Sequence, residues 1–222
     1  MTTPTPRTQQ SVAIGRYLTT SYVWVLIWAI GILAVAYIGF SVLKVTFSFN
    51  DLSGTWFIGP PSAVAIVVAF VVAIINSGYS RVMIGQGATR RNIAIGNLLA
   101  AGVAWILVIL FRLGEAAFER FVPSYESIET QLEFAPGVPG YISLAGFVAL
   151  VLVFGALITA TFQRWHWIVG VLGLIIIVLV LPVIVVATPV LQTAVLWPGT
   201  PWIAAVLTAA LFYWVLRGVE VD

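Results

Sequence analysis

Six apolar runs alternate with polar intervals along the chain. A helix needs roughly 20 apolar residues to cross the hydrocarbon core of a bilayer. The runs that meet or approach that length are 22–42, 62–78, 93–111, 142–162, 167–186 and 202–216. Lys44 and the polar stretch SFNDLSGT bound the first. Pro60 and Pro61 open the second, where proline suits a first helical turn. Its apolar centre, 62–75, is short, so flanking residues from 56–58 or 76–79 complete the crossing. Asn97 alone interrupts the third run, and Pro182 predicts a kink near the outer end of the fifth. The pattern predicts an all-α, polytopic membrane protein with six transmembrane helices, folded as a single transmembrane domain over 1–222.

The polar intervals have patterns of their own. Residues 1–10 (MTTPTPRTQQ) read as a mobile tail. In 11–20, Ala13, Ile14, Tyr17 and Leu18 share one helical face, with Ser11 and Arg16 off it. This segment is either a short interfacial helix or the start of the first span. The most polar internal stretch between two strongly apolar runs is 77–100, SGYSRVMIGQGATRRNIAIGNLLA. Tyr79, Val82 and Met83 fall at i, i+3, i+4 on a short helix here, ahead of Gly85 and Gly87. An exposed apolar stripe of that kind usually has a partner. Two readings stand: the stripe inserts into a partner's groove, or it rests on the membrane interface with Arg81 pointing out. Thr89 is placed to cap the third span, its hydroxyl accepting an otherwise unpaired N–H. Arg90 and Arg91 then anchor at phosphate head groups or pair with acidic residues of a partner.

Composition agrees with the pattern. The chain is 61% hydrophobic and 8% charged, where a soluble domain carries about 25% charged residues. Nine Trp and seven Tyr suit the aromatic belts of membrane interfaces. Cysteine is absent, which excludes disulfides, thiolate catalysis and Cys-ligated metals. No cleavable signal peptide is evident, since the first apolar run is long enough to remain as a span.

Charge sets the orientation. With both termini cytoplasmic, the inner side carries Arg7, Arg16, Arg81, Arg90, Arg91, Arg164 and Arg217, against Lys44, Arg112 and Arg120 outside. That bias obeys the positive-inside rule and predicts a multi-pass protein of the plasma membrane. Six of the acidic residues, Asp51, Glu115, Glu119, Glu126, Glu129 and Glu133, fall outside. The outer segment 111–141 begins with a helical extension of the third span over 113–121, and its five carboxylates read as a solvated face, with binding of a cation or a basic substrate as the alternative. The other outer segment, 187–201, is apolar and carries Pro189, Trp197 and Pro198, a composition that would suit a short re-entrant element in the outer leaflet or an ordinary outer loop. The arginines sit scattered at helix ends and give no footprint for nucleic acid.

Much chemistry is missing. No Asp, Glu, His, Lys or Arg lies mid-span, which argues against a carrier with its own coupling ion. His166 is the one histidine and reads as an interfacial residue between Trp165 and Trp167, without a partner for a metal site or a Ser–His pair. Ser53-Gly54 and Ser77-Gly78 both lack the leading glycine of an intramembrane serine protease segment. No Gly-x-x-x-x-Gly-Lys-[Ser/Thr] sequence occurs, so ATP would have to bind on another polypeptide. The chain is therefore read as neither an enzyme nor the holder of a cofactor. Small residues mark the fourth span (Ala145, Gly146, Ala149, Gly155, Ala156, Ala160) and the fifth (Gly170, Gly173), and let helices approach closely.

Residues 85–99 read G-Q-G-A-T-R-R-N-I-A-I-G-N-L-L. Gly87, Thr89, Arg90, Arg91, Ile93, Gly96, Leu98 and Leu99 fill a pattern that resembles the six-helix permease subunits of bacterial ABC-2 type ABC transporters. The Phe162-Gln163-Arg164-Trp165 turn between apolar runs is similar too, as is the tail with Leu216, Arg217, Val219 and Val221. The resemblance implies half of a transmembrane domain that pairs with a second permease copy or homologue. ATP and Mg²⁺ would sit on a separate ATP-binding subunit docked from the cytoplasm. It also implies an amphipathic helix before the first span and a coupling helix after the second. On that reading Tyr79, Arg81, Val82, Met83 and Gln86 form the ATPase-coupling segment, while Thr89, Arg90 and Arg91 cap and anchor the third span. The chain departs from the family at 187–201, which is short for a pair of re-entrant helices. Apolar and aromatic spans suggest export of a hydrophobic or amphipathic substrate. The alternative is a non-transporting six-helix scaffold or immunity-type protein.

Overall fold

The computed structural model describes residues 7–47, 61–121, 138–165, 171 and 197–219. Its helices are α1 (Arg7–Phe47), α2 (Pro61–Gly78), α3 (Ser80–Gly85), α4 (Arg90–Phe121), α5 (Val138–Arg164) and α6 (Thr200–Arg217). No strand occurs among the described residues. Among the described residues five stretches are long and apolar enough to cross a bilayer, Val12–Ala36, Val64–Gly85, Arg90–Ala117, Val138–Arg164 and Thr200–Arg217, the second running from α2 through α3, the mark of a multi-pass membrane protein. The expected fifth span at 167–186, with His166 and Pro182, lies outside the described residues. So do 1–6, 48–60, 122–137 and most of 187–201; of the last, Trp197 to Gly199 form a turn that leads into α6.

Glycine and alanine decide where the helices touch. Along α1, Ile14, Leu18, Tyr22 and Leu26 recur at four-residue intervals and are buried. They share the hydrophobic core cluster with Ile93, Ala94, Ala100, Ala101, Ala104 and Val108 of α4. The crossing point is a glycine pair: a Cβ on Gly96 would lie 2.6 Å from Ile14 Cγ2 and 3.1 Å from the Gly15 nitrogen. On α2, Ala65, Ala69, Val72, Ala73 and Asn76 form the buried stripe. Gly155 of α5 faces that stripe, where a Cβ would lie 3.0 Å from both the Ala73 Cβ and the Phe70 carbonyl oxygen. Phe70 and Phe154 stack beside it with ring centres 6.5 Å apart. Gly146 of α5 makes room for Trp202 and Pro201 of α6.

These contacts fix direction. The Trp202 indole N–H donates to the Ile142 carbonyl at 2.9 Å, near the starts of α5 and α6. Arg164 donates to the Trp214 carbonyl at 3.2 Å, near their ends. The two helices therefore run parallel. So do α1 and α4, whose early turns meet at Gln10–Asn92 and Gly15–Gly96. One end of the bundle thus gathers the start of α1, the α2–α3–α4 connection, and the ends of α5 and α6. Arg16, Arg81, Arg90, Arg91, Arg164 and Arg217 all lie on these segments. The opposite end carries the Trp105 indole N–H donating to the Ala145 carbonyl at 2.7 Å.

Two features add to the sequence reading. Residues 11–20 are helical and continuous with the first span, since α1 runs unbroken for 41 residues. At roughly 1.5 Å per residue it is about 60 Å long, twice the thickness of a bilayer core of about 30 Å. Within 11–20 the buried face is Ile14 and Leu18, while Ala13 and Tyr17 are exposed. The second is Glu115. The charge pattern puts it on a solvated face, yet it is 5% exposed and accepts a bond from Arg112 at 3.3 Å. The helical extension of α4 keeps its inward stripe, and Glu115 falls on that stripe two turns after Val108.

Candidate functional site

The α2–α3–α4 connection is a tight elbow. Helix α2 ends at Gly78, and the chain turns at Tyr79, whose N–H donates to the Asn76 carbonyl at 3.2 Å. Six residues of α3 follow, stopped by paired bonds: Gly87 N–H to the Ile84 carbonyl and Ala88 N–H to the Met83 carbonyl, each 2.9 Å. This is the Schellman arrangement, which needs a left-handed residue after the helix. Gly87 supplies it with φ of 89°. Two residues later Thr89 starts α4. Its hydroxyl accepts the Asn92 N–H at 3.2 Å and its carbonyl accepts the Ile93 N–H at 3.0 Å.

The elbow divides the expected apolar stripe. Tyr79 is 45% and Val82 57% exposed, and Arg81 and Gln86 are exposed as well. Met83 turns the other way: with Ile84 and Ala88 it packs against the core cluster. The Schellman bonds bring Ala88 back over Met83, and an apolar contact between these two positions commonly accompanies that motif. Ser80 lies on the same inward face, 1% exposed.

The arginines of this end divide in the same way. Arg81 donates to the Gln163 carbonyl in the last turn of α5. Arg90 is half-buried and donates from Nε and Nη2 to the Val219 carbonyl, at 3.0 and 2.5 Å. Arg164 lies over the rings of Trp165 and Trp214, at 4.7 and 4.4 Å from their centres, with its guanidinium against Gly218. Each of these guanidinium groups reaches a carbonyl at the end of another helix, where the backbone dipole is negative and acceptors lack intrahelical partners. Arg91 remains exposed on the first turn of α4, as do Arg16 and Arg217, the last 5.9 Å from the Tyr213 ring centre.

Polar side chains brace the elbow to every neighbour. Asn76 Nδ2 donates to the Leu18 carbonyl of α1 at 3.3 Å. Ser77 Oγ donates to the Ala156 carbonyl at 3.1 Å and Thr159 Oγ1 to the Ile74 carbonyl at 3.0 Å, tying α2 to α5. Gln163 Nε2 donates to the carbonyls of Ser77 and Gly78 at 3.3 and 3.0 Å. Gln10 bridges the elbow from α1: its Nε2 donates to the Gly87 carbonyl at 3.4 Å, and its Oε1 accepts from Asn92 Nδ2 at 2.6 Å. Two buried polar atoms in this region have no partner among the described residues, Ser80 Oγ and Gln163 Oε1.

Chemically, the elbow offers apolar surface and hydrogen-bond donors, a surface for contact. The sequence locates it but does not reveal the inward turn of Met83 or the internal partners of Arg81 and Arg90. Nor does it reveal the braces from Gln10, Asn76 and Gln163, because each side chain meets backbone remote in sequence. Elsewhere an aliphatic groove opens between α1 and α2, walled by Val25, Val67, Val71 and Ile75. No family model, curated protein or solved structure matches the chain.

Proposed function

We propose that the chain is the permease subunit of an ATP-driven transporter of the ABC-2 kind, in which a separate subunit binds and hydrolyses ATP. The observation that carries this reading is the elbow: a six-residue helix joins two spans and leaves Tyr79 and Val82 uncovered at the arginine-bearing end. A short helix with exposed apolar residues suits insertion into a groove of a soluble partner. The pattern of Gly87, Thr89, Arg90, Arg91 and Gly96 supplies the family resemblance. The parallel course of α5 and α6 favours six spans with both termini cytoplasmic, since the chain has to traverse the bundle between them. The arginine distribution favours the cytoplasm for the elbow and the plasma membrane as the location. The protein would act with a second permease copy or homologue and would export a hydrophobic or amphipathic substrate.

Because the elbow is braced to α1, α5 and α6, a push on α3 would move the whole arginine-bearing end, and not the second and third spans alone. The test is affinity purification from the native membrane followed by identification of bound subunits. A Walker-type ATPase should co-purify with the wild-type chain. Val82→Asp should reduce its recovery at least tenfold while the protein still reaches the membrane. Val82 is the better probe than Met83, which also packs in the core. Absence of any ATPase from the wild-type preparation removes the reading and leaves the non-transporting scaffold in its place.

A further inference from the structure

The carboxyl-terminal end of α6 is folded back into the protein. Gly218 N–H donates to the Val215 carbonyl at 3.0 Å and Val219 N–H to the Leu216 carbonyl at 3.2 Å. That turn seats Val219 in the core cluster with 0% exposure. Its carbonyl takes both bonds from Arg90, the first residue of α4 and one turn beyond Gln86. One guanidinium therefore joins the exit of the elbow to the end of α6, 129 residues away in sequence.

The bond geometry is informative. The Nε and Nη2 edge of arginine is a fork that matches the two oxygens of a carboxylate or phosphate. Here both prongs converge on a single carbonyl oxygen. Arg164 does a similar job nearby but lies over two indole rings. The Arg90 contact thus sets a fork suited to two oxygens on one carbonyl oxygen.

We propose that Arg90 and Val219 form a latch. Closed, it holds the carboxyl-terminal turn against the start of α4 and fixes the elbow relative to α6. Open, it releases Val219 and lets 86–90 move independently of α6. This goes beyond the permease reading and does not depend on it.

The chain has no cysteine, so Val219→Cys introduces a unique thiol into the purified full-length protein. Its reaction with a water-soluble maleimide should be slow. Adding Arg90→Gln should accelerate labelling at least tenfold, Arg90→Lys should give an intermediate rate, and Arg91→Gln should leave it slow. Fast labelling with Arg90 intact, or no acceleration by Arg90→Gln, overturns the latch. Hydrogen exchange on Arg90→Gln without the cysteine provides a second readout. Amides of Gly218 and Val219 should exchange at least tenfold faster, while those of 148–157 in α5 keep their protection. Acceleration throughout the bundle also overturns the proposal, because the contact would then be a brace of the whole fold.

Discussion

Replacing Gly96 with alanine tests how α1 is held. The added methyl would sit 2.6 Å from Ile14 Cγ2, and 3.1 Å from both Ile14 Cβ and the Gly15 nitrogen. Carbon atoms pack best at about 3.5–4.0 Å, so the overlap with Cγ2 is about 1 Å. Ile14 is β-branched and strongly prefers one χ1 in a helix. Its methyl has little freedom to swing aside, and α1 itself must shift. Overpacking of this kind costs about 1–3 kcal/mol, offset by about 1 kcal/mol from replacing glycine inside a helix. Gly96→Ala should therefore lose about 1 kcal/mol net. Gly102, on the same helix, has nothing within 4 Å of its Cβ position. Gly102→Ala should be neutral or gain up to about 1 kcal/mol. The assay is equilibrium unfolding of the purified protein in mixed detergent micelles, followed by far-UV circular dichroism. Adding Ile14→Ala should remove the Cγ2 overlap, the closest of the three contacts, so a double-mutant cycle with Gly96→Ala should show coupling of about 1 kcal/mol. If Gly96→Ala is as stable as Gly102→Ala, or the cycle shows no coupling, the close crossing is not what positions α1.

Two further substitutions probe the elbow and its neighbour. Gly87→Ala places a Cβ at φ of 89°, which should cost roughly 1–2 kcal/mol and speed hydrogen exchange at Gly87 and Ala88. Arg164→Lys loses the planar group lying over Trp165 and Trp214 and should lower stability by about 1–2 kcal/mol, measured as a thermal midpoint. Arg217→Lys, with only the longer 5.9 Å approach to Tyr213, should stay within about 0.5 kcal/mol of wild type.

The apolar runs foretell the spans where chain punctuation is local. Proline before 62 and the polar SGYSR after 76 bracket α2, and the observed helix runs Pro61–Gly78. The start of α4 is legible for the same reason, since a threonine just ahead of an apolar helix carries its own capping group. Length is harder to read. Nothing in 7–21 breaks a helix, so α1 extends well before its apolar stretch. Glu115 is readable in principle, because the spacing of Ala101, Ala104 and Val108 continues to it. The partners of the arginines are not. Arg90 finds a backbone carbonyl 129 residues away, and every residue type carries that carbonyl. A sequence records which side chains donate but gives no mark for which helix end will stand beside them.

The contact between α3 and α5 has a consequence for water. Ser80 Oγ of α3 and Gln163 Oε1 of α5 are buried with no partner among the described residues, and leaving a buried polar group unpaired costs about 1–3 kcal/mol. Parting the two helices would hydrate both atoms and recover that penalty, partly offsetting the loss of the Arg81 and Gln163 bonds. These two positions are therefore built-in weak points: under load at the elbow, solvent should enter first at Ser80 and at Gln163, ahead of the fully bonded contact where Ser77 and Thr159 join α2 to α5.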